Sequence, residues 1–187
     1  NAGLPLAALA KFDYAERVIY TGTFNDVVFP ALRLGYLVVP SHLVDAFISA
    51  RILIDRCPPL LGQVVLADFI ADGHFERHVK ALRPVYEERH RTLLRALKGT
   101  FGSLLQPRSE EVGMHLVVDL PAGVDDRKMS KLIAEHDVEA PPLSFYSMKR
   151  RRTGGFVLGY SSVKEQEIRI GVERMHEAIG HKLKLSH

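Results

Sequence analysis

The sequence predicts an α/β chain in two parts, and three observations indicate this. Short apolar runs bounded by glycine and proline occur near both ends of the chain, as strands do. Between them, from His74 to about Leu97, apolar residues recur at helical spacing over a long amphipathic stretch. From residue 114 to 120, apolar residues alternate in the pattern of a strand with one buried face.

The first part is predicted to contain two strands followed by two helices. Residues 18–20 form a short buried strand, and residues 32–39 form a second strand that Pro40 ends. Ser41 precedes a helical pattern that the Cys57-Pro58-Pro59 run breaks. Pro59 begins the next helix, which ends near Gly73. Two strands and two helices are too few to bury their own apolar faces well. This part is therefore expected to be a fragment of a larger sheet or to pack on a partner chain.

The long helix is expected to kink or split near Arg83, because Pro84 removes a backbone donor inside it. Gly99 and Gly102 are expected to end this helix. We place the domain boundary at its start, giving domains at residues 3–73 and 74–187.

The second part is predicted as an α+β unit with a roughly three-stranded sheet. Its strands are expected at residues 114–120, 138–143 and 156–160, the second broken by Pro141 and Pro142. Asp125 and Asp126 cap a short helix that runs through residue 136. Ser162 with a glutamate three residues later is a capping-box pattern and opens the last helix.

Composition excludes several classes of protein. The 187 residues are 47% hydrophobic and 25% charged, with a net charge of +3, which is too weak to indicate nucleic-acid binding. A single cysteine excludes an intrachain disulfide framework and fits a reducing compartment. No apolar run reaches the length of a membrane span, and the start of the chain lacks a signal-peptide pattern. We therefore expect a cytoplasmic protein.

The strongest candidate site lies at residues 20–36, in the run YTGTFNDVVFPALRLGY. Arg33 stands among leucines on a predicted strand, where a guanidinium needs an anion or a carboxylate partner. Gly22 and Thr23 end the preceding strand and offer a hydroxyl and backbone N–H groups to a phosphate. The residues alone leave two readings open, a phosphate site and an ordinary surface ion pair.

The run VIYTGTFNDVVFPALRLGYLVVP resembles the cofactor-lysine segment of fold-type I, pyridoxal-phosphate-dependent aminotransferases. It is most similar to the aminotransferase-like domain of MocR-type regulators in the GntR superfamily. The runs ADGHFERHVKALRPVYEERHRTLLRAL, VGMHLVVDLP, PPLSFYSM and GGFVLGYSSVKEQEIRIGVERM resemble the long interdomain helix and the successive small-domain elements of that family. The resemblance implies part of an aminotransferase large domain at residues 3–73, followed by the interdomain helix and the small domain.

The same resemblance assigns expected roles position by position. Arg33 matches the arginine that holds the cofactor phosphate, and Thr23 matches a small hydroxyl residue that also contacts the phosphate. Asp26 stands where the family has the lysine that attaches the cofactor covalently and moves the proton during amino transfer. A carboxylate can do neither, so no catalytic residue is assigned. Val157 occupies the place of an arginine that clamps the substrate carboxylate in many members, although some MocR-type regulators also lack it.

The expected function is therefore that of a truncated, catalytically inactive pseudoenzyme that acts in self-association or in partner or effector binding through residues 3–73. The family's helix-turn-helix and the half of the large domain that surrounds the pyridine ring are expected to be missing. Pyridoxal phosphate is implied by the family but is not expected to be covalently bound, nor bound by the chain alone. A homo-oligomer is expected, without membrane binding and without nucleic-acid binding by this chain alone. The alternative is a class I/II aminotransferase-type protein, or a component of a transcription regulator, that retains ligand binding.

Other candidates have simpler explanations. His74 and His78 have a metal-compatible spacing, but the sequence shows no third ligand nearby, and a solvated helix edge explains them. The basic run at 149–152 fits a solvated hairpin loop, and Cys57 lacks an evident base. Tyr146 is a candidate for ligand contact or for ordinary packing.

Overall fold

The computed structural model describes residues 8–56, 60–108, 113–148 and 153–184. The chain forms two compact units, Asn1–Ala81 and Leu82–His187. This division falls inside the long helix, whereas the domain boundary inferred from the sequence lies at 73/74 and stays a prediction. The α/β class is confirmed, because helices alternate with one two-stranded and one three-stranded sheet.

The first unit begins with a 3₁₀ turn at Leu9–Phe12 and an antiparallel pair of strands. Strand β1 spans Tyr20–Thr23 and strand β2 spans Gly35–Val38, with Tyr20 opposite Val38 and Thr23 opposite Gly35. A 3₁₀ turn at Ser41–Leu43 leads into helix α1, Val44–Ile54, and helix α2 follows at Leu60–Ala71.

Both predicted strand positions in this unit were partly wrong. The first strand starts at Tyr20, where the prediction ended it, and it is exposed, not buried. The second strand is shorter than residues 32–39, because Pro30–Leu32 forms a 3₁₀ turn and Arg33 follows with a φ of 50°. That left-handed conformation is incompatible with an extended strand. Arg33 therefore precedes the strand and does not lie on it.

Helix α3 spans His74–Phe101 and continues through Pro84, so the predicted split does not occur. Proline costs a helix interior about 3 kcal/mol. The buried side chains of Leu93, Leu97 and Phe101 along the C-terminal half of α3 offset that cost. Gly99 lies inside the helix, and Gly102, with a φ of 57°, follows its last residue.

The second unit contains an antiparallel sheet of order β3-β4-β5, formed by Gln106–Pro107, His115–Asp119 and Gly155–Gly159. Helix α4 spans Asp126–Ala134, and helix α5 spans Glu165–Lys184. The predicted alternation in β4 is confirmed, because Leu116 and Val118 are buried between more exposed neighbours. The three-stranded sheet is confirmed as well.

Two details of this unit correct the prediction. Among the described residues, 138–143 forms no strand, and only Pro142 makes a bridge, to Phe156. The third strand is instead Gln106–Pro107. The last helix starts later than the capping box predicted, and its capping contact joins the backbone nitrogen of Lys164 to Glu167 Oε2 at 2.9 Å.

The described hydrophobic core lies almost entirely in the second unit. Its most deeply buried side chains come from α3, the sheet, α4 and α5, and they include Leu97, Leu116, Ile133, Phe156 and Ile179. No helix in the described parts of the chain has the length and apolar character needed to cross a membrane.

Candidate functional site

The turn after β1 is held by its own side chains. Thr23 Oγ1 accepts a hydrogen bond from the backbone nitrogen of Asn25 at 3.1 Å, and Asn25 Oδ1 accepts one from the backbone nitrogen of Leu34, also at 3.1 Å. The Phe24 nitrogen donates to the Leu34 carbonyl at 3.0 Å. Thr23 and Asn25 thus fasten the turn to the segment that precedes β2.

Thr23 is therefore only partly available to a ligand. Its hydroxyl accepts from Asn25 and also reaches the Leu34 carbonyl at 3.4 Å. Thr23 was predicted from the sequence as a candidate, whereas the role of Asn25 was not predicted. An asparagine two residues after a threonine in a strand-ending turn was the available signal, because asparagine side chains commonly bond to turn backbone.

Asp26 lies exposed at the centre of this turn. Within the described part of the chain, its carboxylate makes no hydrogen bond and no ion pair. The turn is fixed on both sides of it, since the Val28 nitrogen donates to the Phe24 carbonyl at 2.9 Å and His78 Nε2 lies 2.8 Å from the Val27 carbonyl oxygen. An exposed carboxylate in a fixed turn can act as a weak base or an ion-pair partner, and it cannot act as a nucleophilic amine.

Arg33 is exposed, and no partner for its guanidinium occurs among the residues that the structure describes. A surface ion pair, the alternative left open by the sequence, is not formed with any described carboxylate. A non-glycine residue with a positive φ is uncommon and marks either strain or a functional constraint.

Arg33 lines a groove of about 1,200 Å³ that lies wholly within the first unit. The walls come from β1, β2, α1 and α2 and are mostly apolar. Arg51 and Asp55 also line it, and they pair with each other at 2.8 Å. Arg33 thus lies on the wall of an apolar groove without a charged partner among the described residues, whereas Arg51 is paired with Asp55.

The aromatic residues beside this groove form a connected group. The ring centroid of Tyr36 lies 6.0 Å from that of Tyr20 and 5.3 Å from that of Phe24. A hydrogen bond with Tyr20 raises the pKa of Tyr36 above its ordinary value. Tyr36 stays neutral at physiological pH and offers a hydroxyl close to the groove.

The other candidates that lie within the described residues show no reactive arrangement. His74 stacks on Phe69 and its Nδ1 lies 2.9 Å from Arg77 Nη2, while His78 contacts the Val27 carbonyl. Among the described residues, no three potential ligands cluster in a way that would hold a metal ion. Tyr146 is 69% exposed. Cys57 and the basic run at 149–152 lie outside the described residues.

Val157 lies on β5, half-buried and opposite Val117 on β4. This position presents no guanidinium, so a carboxylate clamp of the kind expected in many aminotransferases is absent from it.

The sequence model of aminotransferase class I and II matches residues 7–175 of the chain. The chain belongs to the aminotransferase class I and II family. The resemblance to MocR-type regulators inferred from the sequence is confirmed, because the similar proteins include HTH-type transcriptional regulators and a MocR protein.

An HTH-type transcriptional regulator of Bacillus subtilis is 28% identical over 177 residues, which cover 95% of this chain and 38% of the regulator. The probable rhizopine catabolism regulatory protein MocR of Rhizobium meliloti is 31% identical over 176 residues, covering 94% of this chain and 36% of that protein. This aminotransferase-family chain therefore spans less than half the length of these relatives.

A solved structure of Pyrococcus horikoshii kynurenine aminotransferase, in complex with PMP and KYN, superposes with a TM-score of 0.84. The identity is 29%, and the match covers 92% of this chain and 43% of the enzyme. The fold is thus that of part of an aminotransferase, related both to regulators and to true enzymes.

Proposed function

We propose that this chain is a non-catalytic member of the aminotransferase class I and II family, whose first unit associates with a second copy of the chain. The observation that carries the proposal is the exposure of apolar side chains in the first unit. Of the described residues up to 81, Leu66 alone joins the buried hydrophobic set. Leu53 is 85% exposed, Ile54 83% and Leu61 78%.

Such a surface favours association because covering a large apolar side chain stabilises a complex by about 1.5–3 kcal/mol. Large exposed apolar surfaces commonly mark protein–protein interaction sites. A second copy presents the same surface, and two-fold association lets each copy cover the other.

The absence of catalysis rests on Asp26. The resemblance places Asp26 at the position of the cofactor lysine, and the carboxylate there is exposed and carries no amine. Neither covalent attachment of the cofactor nor proton transfer through an amine is open to this residue.

Light scattering of the purified chain after gel filtration tests the association. We expect a dimer or a larger assembly for the parent chain and a smaller mass for Leu53→Lys, because a lysine resists burial in an apolar contact. Met148→Lys is the matched control, since Met148 is a fully exposed apolar residue of the second unit. A parent chain that is monomeric at all concentrations, with a folded circular-dichroism spectrum, contradicts the proposal.

A second candidate function is non-covalent binding of a phosphate-bearing ligand such as pyridoxal phosphate. Its support is the guanidinium of Arg33, which has no partner in the part of the chain that the structure describes and lies on the wall of an apolar groove. These residues fit the phosphate group but not a covalent attachment, because none of the described residues that line the groove is a lysine and Asp26 stands at the position of the amine. When bound, the cofactor supplies an electron sink. This chain's own contribution is to hold the phosphate through Arg33.

Titration with pyridoxal phosphate, followed by its absorbance, tests this second function. Arg33→Gln is expected to weaken binding about tenfold, because it removes a charge-assisted contact. Arg51→Gln, in the same groove but already paired with Asp55, should leave binding unchanged. Equal losses in both variants exclude Arg33 as the phosphate ligand.

Borohydride reduction of the mixture tests the role of residue 26. The parent chain should give no stable adduct at this residue, and Asp26→Lys should give one if the groove holds the cofactor near the turn. Amino-group transfer by the parent chain would refute the non-catalytic assignment.

A role as the ligand-sensing component of a transcription regulator is supported by the similarity to an HTH-type transcriptional regulator and to a probable regulatory protein of rhizopine catabolism. Duplex DNA binding that persists at physiological salt would show that the chain itself contacts DNA, contrary to our expectation.

A further inference from the structure

The second unit contains an open groove of about 350 Å³ between α3 and α5. This volume is at the lower end of the range of small-molecule sites. It shares no residue with the groove that Arg33 lines. Five residues of α3 and two of α5 line it: Thr92, Arg95, Ala96, Gly99, Thr100, Arg169 and Glu173.

The α3 wall leaves room for a ligand because two of its residues are small. Ala96 and Gly99 are three positions apart on one face of the helix. A Cβ added at Gly99 would meet no heavy atom within 4 Å. Space beside the helix backbone at this point is therefore open.

Two opposite charges on α5 face this groove without neutralising each other. Arg169 and Glu173 are one helical turn apart, a spacing at which ion pairs commonly form. Neither makes an ion pair or a hydrogen bond with any residue that the structure describes. Each is thus available to a ligand.

A second guanidinium is held in position from α3. Arg95 Nη2 lies 2.7 Å from Glu88 Oε1, and Arg95 Nε donates to the Arg91 carbonyl at 3.3 Å. These contacts fix Arg95 and leave its Nη1 without a hydrogen bond among the described residues. Arg95 is already paired with Glu88, so its Nη1 is a positioned N–H donor and not a free charge. Among the described residues, the groove thus offers one unpaired guanidinium (Arg169), one unpaired carboxylate (Glu173) and one further donor (Arg95 Nη1).

We propose that this groove binds a small α-amino carboxylate. The ligand carboxylate pairs with Arg169 and accepts a hydrogen bond from Arg95 Nη1, because guanidinium N–H groups match carboxylate oxygens. The ligand ammonium pairs with Glu173, and the ligand side chain lies over Ala96 and Gly99. A ligand with only one of the two charges leaves one partner unmatched. The side chains are partly exposed, so we expect affinity on the order of millimolar.

Amide NMR of the full chain with L-leucine as the probe tests this assignment. We expect saturable shifts at Gly99, Thr100 and Glu173. Isocaproate lacks the amine of leucine and isoamylamine lacks its carboxylate, and each should bind about tenfold more weakly. Equal affinity for isocaproate overturns the zwitterion assignment, and a lack of saturable shifts with leucine overturns the site.

Two glycine variants supply a matched control. Gly99→Leu fills the groove and should abolish the leucine shifts. Gly171→Leu is on α5, where an added Cβ also meets nothing within 4 Å, but Gly171 does not line the groove. The Gly171→Leu chain should therefore keep the amide shifts caused by leucine. Glu173→Gln should reduce leucine affinity to that of isocaproate. Retention of leucine binding by Gly99→Leu contradicts the proposal. None of these measurements depends on Asp26, Arg33 or self-association.

Discussion

The ring of Tyr36 lies directly over Gly22: a Cβ built on Gly22 would be 2.3 Å from Tyr36 Cζ. The two residues face each other across the β1–β2 pair. Only a residue without a side chain at position 22 permits the ring to lie there and contact Tyr20 and Phe24.

Gly22→Ala should displace the Tyr36 ring and destabilise the first unit by about 1 kcal/mol, the typical value of an aromatic contact. Chemical denaturation, followed by tyrosine fluorescence, measures this change. Gly62→Ala is the control, because its added Cβ lies at an ordinary 3.7 Å from Leu34 and alanine favours a helix. A Gly22→Ala chain as stable as the parent would show that the ring moves without cost.

Tyr20→Phe should lower the pKa of Tyr36 toward its ordinary value, because the Tyr20 hydroxyl is the main cause of the increase. A raised folded-state pKa stabilises the fold below the unfolded-state pKa, and this stabilisation is lost as the pH rises through the folded-state value. The parent chain should therefore lose this contribution at alkaline pH. Ring-carbon NMR of Tyr36 gives the pKa directly, and an unchanged value in Tyr20→Phe would contradict the assigned cause.

Asp126→Ala should destabilise the second unit by about 3 kcal/mol. The buried Asp126 carboxylate accepts hydrogen bonds from the backbone nitrogens of Ser144 and Gly155 at 2.9 and 3.2 Å, and its loss leaves both donors unsatisfied. Asp125→Ala removes only the exposed cap of α4 and should cost about 1 kcal/mol. Hydrogen exchange at Gly155 should accelerate in the first variant alone. The reverse order of stability would disprove this account.

Gly99→Ala and Gly102→Ala should change stability in opposite directions. Gly99 lies inside α3, where alanine is favoured by about 1 kcal/mol. Gly102 has a φ of 57° just after the helix, where alanine is strained by a similar amount. Thermal unfolding of both variants measures the difference, and a stabilised Gly102→Ala chain would be inconsistent with the left-handed cap.

The long helix and strand β4 could be predicted because their patterns are periodic over many residues. The spacing of Leu93 and Leu97 marks one face of α3, and alternation marks β4. The two-residue strand Gln106–Pro107 has no period to detect. Residues 138–143 have the apolar content of a strand, but their two prolines lack donors for a ladder, and only the Pro142 bridge forms.

The roles that the resemblance assigns to Thr23, Asp26 and Arg33 stay predictions. The structure shows where these residues lie and places Thr23 and Asp26 in one turn. The left-handed conformation of Arg33 was not predictable, because arginine carries no signal for a positive φ. Asparagine in a turn indicates a bond to nearby backbone, but the sequence does not specify that its partner is Leu34, nine residues further along the chain.

At position 33, the residue that would give the most stable fold differs from the residue that an anion site needs. Holding a long side chain at a φ of 50° costs roughly 1–2 kcal/mol relative to glycine. Selection for a stable fold alone would favour glycine or asparagine at position 33. Arg33→Gly should therefore gain stability and lose anion affinity. The gain in stability measures what the arginine side chain costs the fold.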